Sequence, residues 1–184
     1  GDTSEKQPKI TNEAGATIVG TDITGNVDNA GTLGGENSNT TVTGNLNNTG
    51  TVDNTKISGA TINTGSITKS QLDGETTNSG DIDQSTVAGK TTNEQGGTIT
   101  AGTMTGETTN NGTISNSNIG GALTNNGSLE GITSAPDAKI DTSNPNAIVK
   151  DADGNEITYT VTYNANGHGI APQTQTVAYG KFVT

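Results

Sequence analysis

The sequence predicts an all-β fold. It reads as a parallel β-solenoid with coils of about 15 residues, about eight coils over residues 12–134, followed by a short C-terminal β segment. Three observations predict it. Asparagine recurs at Asn48, Asn63, Asn78, Asn93, Asn110 and Asn125, in steps of 15, 15, 15, 17 and 15. Two glycine columns keep the same phase: Gly50, Gly65, Gly80, Gly97, Gly112 and Gly127, then Gly59, Gly74, Gly89, Gly106 and Gly121. Two aliphatic columns run with them: Val52, Ile67, Ile82, Ile99, Ile114 and Leu129, then Ile57, Leu72, Val87, Met104 and Ile119.

A period this short excludes a helix pair and suits three short strands joined by three corners. One coil cannot bury its apolar residues, but stacked coils turn each column into a continuous ladder. Neighbouring coils are expected roughly 4.8 Å apart, so eight give a rod of roughly 40 Å. The crossover rule favours right-handed winding. The glycines mark corners, where a positive φ or a close backbone approach excludes a Cβ. Asparagine tolerates the left-handed conformation and can hydrogen-bond along the stack, so its column reads as a structural ladder rather than a ligand stripe. A third inward column runs Val27, Leu46, Thr61, Thr76, Thr91, Thr108 and Leu123, with Ile62 competing for the inward place at Thr61. Its threonine hydroxyls need partners if they are buried.

Taken in order, residues 1–11 (GDTSEKQPKIT) are polar and read as a leader or partial cap. Asn12 to Val27 forms an irregular first coil with Ile18, Ile23 and Val27 inward. The step from Gly31 to Gly50 is 19, so about four residues are inserted near Gly34–Asn37. A smaller insertion falls at Gln95–Gly96. Both are expected to bulge from corners, the places where solenoids often bind. The pattern stops at Ser134. Residues 135–146, with Pro136 and Pro145, read as a linker. Residues 147–184 carry all four aromatics and strand-like stretches at Ala147–Lys150, Glu156–Tyr163 and Gln175–Val183. Asp151-Ala152-Asp153-Gly154 between the first two is a hairpin signal.

Composition narrows the function. Only 26% of the 184 residues are hydrophobic and 2% aromatic, which would suggest disorder if there were no repeat. Eight lysines, no arginine and 19 acids give a net charge of −11, which opposes nucleic acid and anionic membranes. Cysteine is absent, so there is no disulfide framework and no thiolate metal site. No apolar run approaches the roughly 18 residues of a membrane span. Residues 1–11 do not read as a signal peptide, and the abrupt ends read as an excised piece of something longer.

Catalytic chemistry finds little footing. A lyase needs cations and a base, but the repeat offers only Lys56, Lys69 and Lys90 and no histidine. A glycoside hydrolase needs paired carboxylates. Asp81 and Asp83 flank Ile82 and project from one face, with Asp73 and Glu75 expected nearby, and this reads as a solvated acidic patch. Asp81 and Asp83, with Asp151 and Asp153 of the hairpin turn, are the only candidates for a metal, and calcium is the ion they would suit. Gly154 stands fourth in its loop where a calcium-binding EF-hand wants glycine sixth, so the turn reading is preferred. No cofactor is expected. His168 is the only histidine and reads as a loop residue. An ice-binding threonine array is disfavoured because acids interrupt it, as at Thr51/Asp53, Asp81/Asp83 and Ser128/Glu130.

Two resemblances add a setting. Residues 159–184, YTVTYNANGHGIAPQTQTVAYGKFVT, resemble the first part of the Listeria–Bacteroides (internalin B-type) repeat at Val161, Tyr163, Ala165, Gly167, Pro172, Val177, Tyr179 and Gly180. His168 stands where that family often has glycine, and its Gly-Trp motif is not reached. That likeness implies a β-grasp-like module on a bacterial surface, often Gram-positive, and no catalysis. The stretch TNNGTISNSNIGGALTNNGSLEG resembles in style the β-helical stalks of filamentous-haemagglutinin-type adhesins. The expected function is therefore a non-catalytic, extracellular stalk or adhesin module of a bacterial cell-surface protein. A glycan- or host matrix protein-binding module using one solenoid face is the alternative. End-to-end self-association is open to both, because solenoid ends are unpaired edges.

Overall fold

The computed structural model describes residues 8–182. Among these there is no helix, and so none long and apolar enough to cross a membrane. The chain winds as a parallel β-solenoid of about nine turns. Its three sheets hold 9, 9 and 8 strands. Each of the first eight coils gives one short strand to each sheet, as Thr61–Asn63 to the first, Ser66–Thr68 to the second and Gln71–Leu72 to the third.

This coil explains how so polar a sequence folds. Its buried residues are Thr61, Asn63, Ile67, Ser70 and Leu72, so only Ile67 and Leu72 are apolar. Stacking places Ile67 between Val52 and Ile82, and Leu72 between Ile57 and Val87. These ladders run the length of the solenoid with side chains excluded from water. Each buried aliphatic residue contributes about 1.5–3 kcal/mol. Thr61 takes the inward place and Ile62 is 53% exposed, which decides the register left open above. The cause is Asn63: strand alternation turns residues two apart to the same side.

Asn63 belongs to a buried ladder. Asn12, Asn29, Asn48, Asn63, Asn78, Asn93 and Asn110 each donate from Nδ2 to the Oδ1 of the asparagine one coil on, over 2.7–2.8 Å. The last acceptor is Asn125. Each amide also holds the corner carbonyl two or more residues ahead, as Asn63 does with Gly65 at 3.2 Å. A smaller hydroxyl ladder lines the second corner. The Ser70 Oγ accepts from the Thr55 N–H, and the Ser85 Oγ from the Ser70 N–H, at 3.1 and 3.0 Å.

The glycine columns mark close approach and not a positive φ. A Cβ on Gly65 or Gly74 would lie under 3.0 Å from the carbonyl oxygen of Gly50 or Gly59. The left-handed corner lies elsewhere, at Asn54, Lys69, Gln84, Ala101, Asn116 and Gly131. There the bend aims each N–H at the next coil, as Lys69 does at the Asp83 carbonyl over 3.1 Å. The asparagine ladder is extended backbone, so its residues serve through their amides and not through tolerance of positive φ.

The ends differ from the sequence reading. Residues 1–7 of the expected leader lie outside the described residues, but Lys9–Asn12 is a strand paired with Asn26–Asn29. The expected linker 135–146 contributes Ile140–Asp141 to the first sheet, and Ile148–Lys150 closes the second. These pairings add the ninth turn. The repeat was hidden there because longer loops displace the strands. The rest of the C-terminal segment forms an antiparallel pair, Thr158–Val161 with Gln175–Ala178, in place of the longer strands expected. Val183 lies outside the described residues. Ile157 and Tyr179 from this segment cover Leu129, Ile132 and Val149 around a cavity of about 200 Å³. The segment therefore caps the last coil.

Two predictions follow from this interior. Asn63→Ala removes one amide from mid-ladder and strands the carbonyls it serves. It should cost about 2–4 kcal/mol in urea denaturation; an unchanged midpoint would show that the ladder does not hold the stack. The Thr108 hydroxyl is buried without a hydrogen-bond partner. Thr108→Val should therefore raise stability by about 1 kcal/mol, and a lower midpoint would reveal a partner for that hydroxyl.

Candidate functional site

The interior is filled by structural ladders, so any binding chemistry lies on the outer faces. On the second sheet Asp81 stands between Ser66 and Thr98, and Asp83 between Thr68 and Thr100. The Thr98 hydroxyl donates to the Asp81 carboxylate, and the Gln84 amide to Asp83 over 3.0 Å. Asp73 and Glu75 do not join them. Asp73 follows the third-sheet strand and pairs with Lys56 at 3.5 Å, and Glu75 precedes the first-sheet strand.

The turn acids are also engaged. Asp151 Oδ1 accepts the N–H of Asn155 at 2.8 Å and of Asp153 at 3.0 Å. Lys150 and Glu156 form an antiparallel bridge across this turn, and Gly154 takes φ +82. Asp153 projects into solvent. Among the described residues no group of three or more His, Cys, Asp and Glu side chains is placed to hold a metal ion. His168 lies exposed in its loop, its N–H on the Ala165 carbonyl.

A surface concavity lies along the third sheet and the corner beside it. Its floor is the outward column Thr41, Lys56, Gln71 and Thr86, in register over four coils. The corner supplies Asn54, Lys69 and Gln84, whose left-handed backbone turns their side chains out. The insertion builds the wall. Ser38 donates its N–H to Gly35, closing a turn, and the Asn54 amide holds the Ser38 carbonyl at 2.9 Å. The groove has a volume of about 360 Å³ and no carboxylate among its lining residues. It can donate and accept hydrogen bonds and present two ammonium groups. It holds no nucleophile activated by a base. The bulge is legible in the repeat spacing but the groove is not, because the corner residues Asn54, Lys69 and Gln84 share no type.

No family model, curated protein or solved structure matches this chain.

The Asp151 carboxyl is held below its ordinary value of 3.8, chiefly by the Asn155 backbone N–H. The lower value belongs to the folded state. The stabilisation is therefore complete above pH 3.8 and is lost as pH falls below it. Asp151→Asn should be less stable than the parent at neutral pH, and the gap should close under acid. The tyrosine near-ultraviolet signal reports it, since Tyr159 and Tyr179 pack with ring centroids 6.0 Å apart. A gap that persisted far below pH 3.8, with the carboxyl protonated in the folded chain as well, would remove the carboxylate from the turn's support.

Proposed function

We propose that this chain is a non-catalytic, extracellular stalk or adhesin module of a bacterial cell-surface protein. The observation that carries the reading is the axial ladder of buried asparagines, continuous from Asn12 to Asn125. It ties the first eight coils to one another without a disulfide and makes a stiff rod of roughly 40 Å. Such a rod holds whatever follows it at a set distance. The net charge of −11 keeps it apart from nucleic acid and anionic lipid. The resemblance of residues 159–184 to the internalin-type repeat supports a surface setting, Gram-positive in the commonest case. The acids engaged in local hydrogen bonds favour a reading without metal or cofactor.

A second reading, a glycan- or matrix-protein-binding module, is favoured by the groove beside Lys56 and Lys69. End-to-end association belongs to either reading, through the strand edge at Lys9–Asn12.

Antibodies raised against the folded chain should label intact cells of the organism that makes it. Labelling that appears only after permeabilisation would rule out the surface stalk.

A further inference from the structure

We infer that the groove along the third sheet binds an acidic oligosaccharide, laid along the solenoid axis with one sugar per coil. Four observations converge. The groove crosses four coils, and its floor residues repeat at the strand spacing of roughly 4.8 Å. An extended pyranose chain advances by a similar rise per sugar, so successive sugars meet equivalent positions. The lining is amide, hydroxyl and ammonium throughout, the groups that bond sugar hydroxyls and carboxylates.

The charge is also specific to this place. The chain has 19 acids against eight lysines, yet two lysines and no acid line the groove. Lys56 is held at its rim by Asp73. Among the described residues Lys69 has no ion-pair partner, and it projects from a left-handed corner into the groove. Finally, the wall is ordered before any ligand arrives: the Asn54 amide fixes the inserted turn at the Ser38 carbonyl. No aromatic ring lies in the groove, so recognition falls to hydrogen bonds and charge, and neutral sugars lose the charged part. Three acids stand at the rim, Asp22 on the Thr41 hydroxyl, Asp73 on Gln71 and Lys56, and Asp83 on Gln84, so among the described residues Lys69 is the cation of the groove that no carboxylate holds.

The inference names a ligand beyond the stalk reading, and the two fail separately. A surface-exposed chain that ignores uronates keeps the stalk, and an intracellular chain that binds them keeps the groove.

The test is a titration of the whole chain with tetragalacturonate, followed by calorimetry and by backbone amide shifts. Saturable binding is expected, with shifts centred on residues 38–41, 54–56, 69–71 and 84–86. Lys69→Gln, at an exposed position, should weaken it about tenfold, and the methyl-esterified tetramer should bind at least as weakly as that. Lys90→Gln, outside the groove, should leave it unchanged. Absence of saturable binding to the folded chain overturns the inference. So does equal affinity for the ester, or equal loss in Lys90→Gln, which would mark diffuse charge attraction.

Discussion

The buried asparagine ladder is the interaction on which the rest of the structure depends. Parallel sheets alone would let coils slide or splay, because the three short strands of a coil offer few hydrogen bonds each. The amide adds a polar rung inside the stack, where an unmade hydrogen bond is costly. It also fixes the first corner, since the same Nδ2 that reaches the next coil holds the carbonyl at Gly50, Gly65 or Gly80. That corner brings the glycines against the carbonyl oxygens of the coil before. Asparagine and glycine columns are thus two halves of one constraint.

This constraint explains the low hydrophobicity. A coil such as 61–75 needs only Ile67 and Leu72 to be apolar, because Asn63 and Ser70 pair with their own kind above and below. Thr76 and Thr91 complete the third side by bonding to the carbonyls of Gly74 and Gly89. Thr61 and Thr108 do not, and they are the weak points of the interior. The outward side chains lie outside these ladders, and the groove at Lys69 has Thr41, Lys56, Gln71 and Thr86 of them for its floor.

The fold was readable wherever a column had a single chemical solution. Only asparagine makes an axial amide ladder, and only glycine fits where a Cβ meets a backbone oxygen, so those columns stand out. The left-handed corner was not readable, because Asn54, Lys69, Gln84 and Ala101 all accept that conformation at a modest cost. The hydroxyl ladder at Thr55, Ser70 and Ser85 was equally hidden among many Ser and Thr residues. The ninth turn escaped because Ile140 and Val149 pair in register only after loops of unequal length. The acids Asp81 and Asp83 were placed on one face from alternation alone, but their distance from Asp73 depended on which side of the coil each strand occupies.

The ladder also has a sense. Every amide donates toward the C-terminal end, so seven side-chain dipoles add head to tail inside a rod whose strands in each sheet run one way. The ladder is therefore polar along the rod: it opens at Asn12 and stops at Asn125, whose amide turns to the carbonyls of Gly127 and Ile148 beneath the ninth turn. Two rods meeting at like ends would set their ladders in opposite senses. Only a tandem arrangement extends the pattern, and an arrangement of that kind has no closing symmetry. Polymers of this chain, if the cap at Ile157 and Tyr179 gave way, would grow as vectorial filaments and not as paired rods.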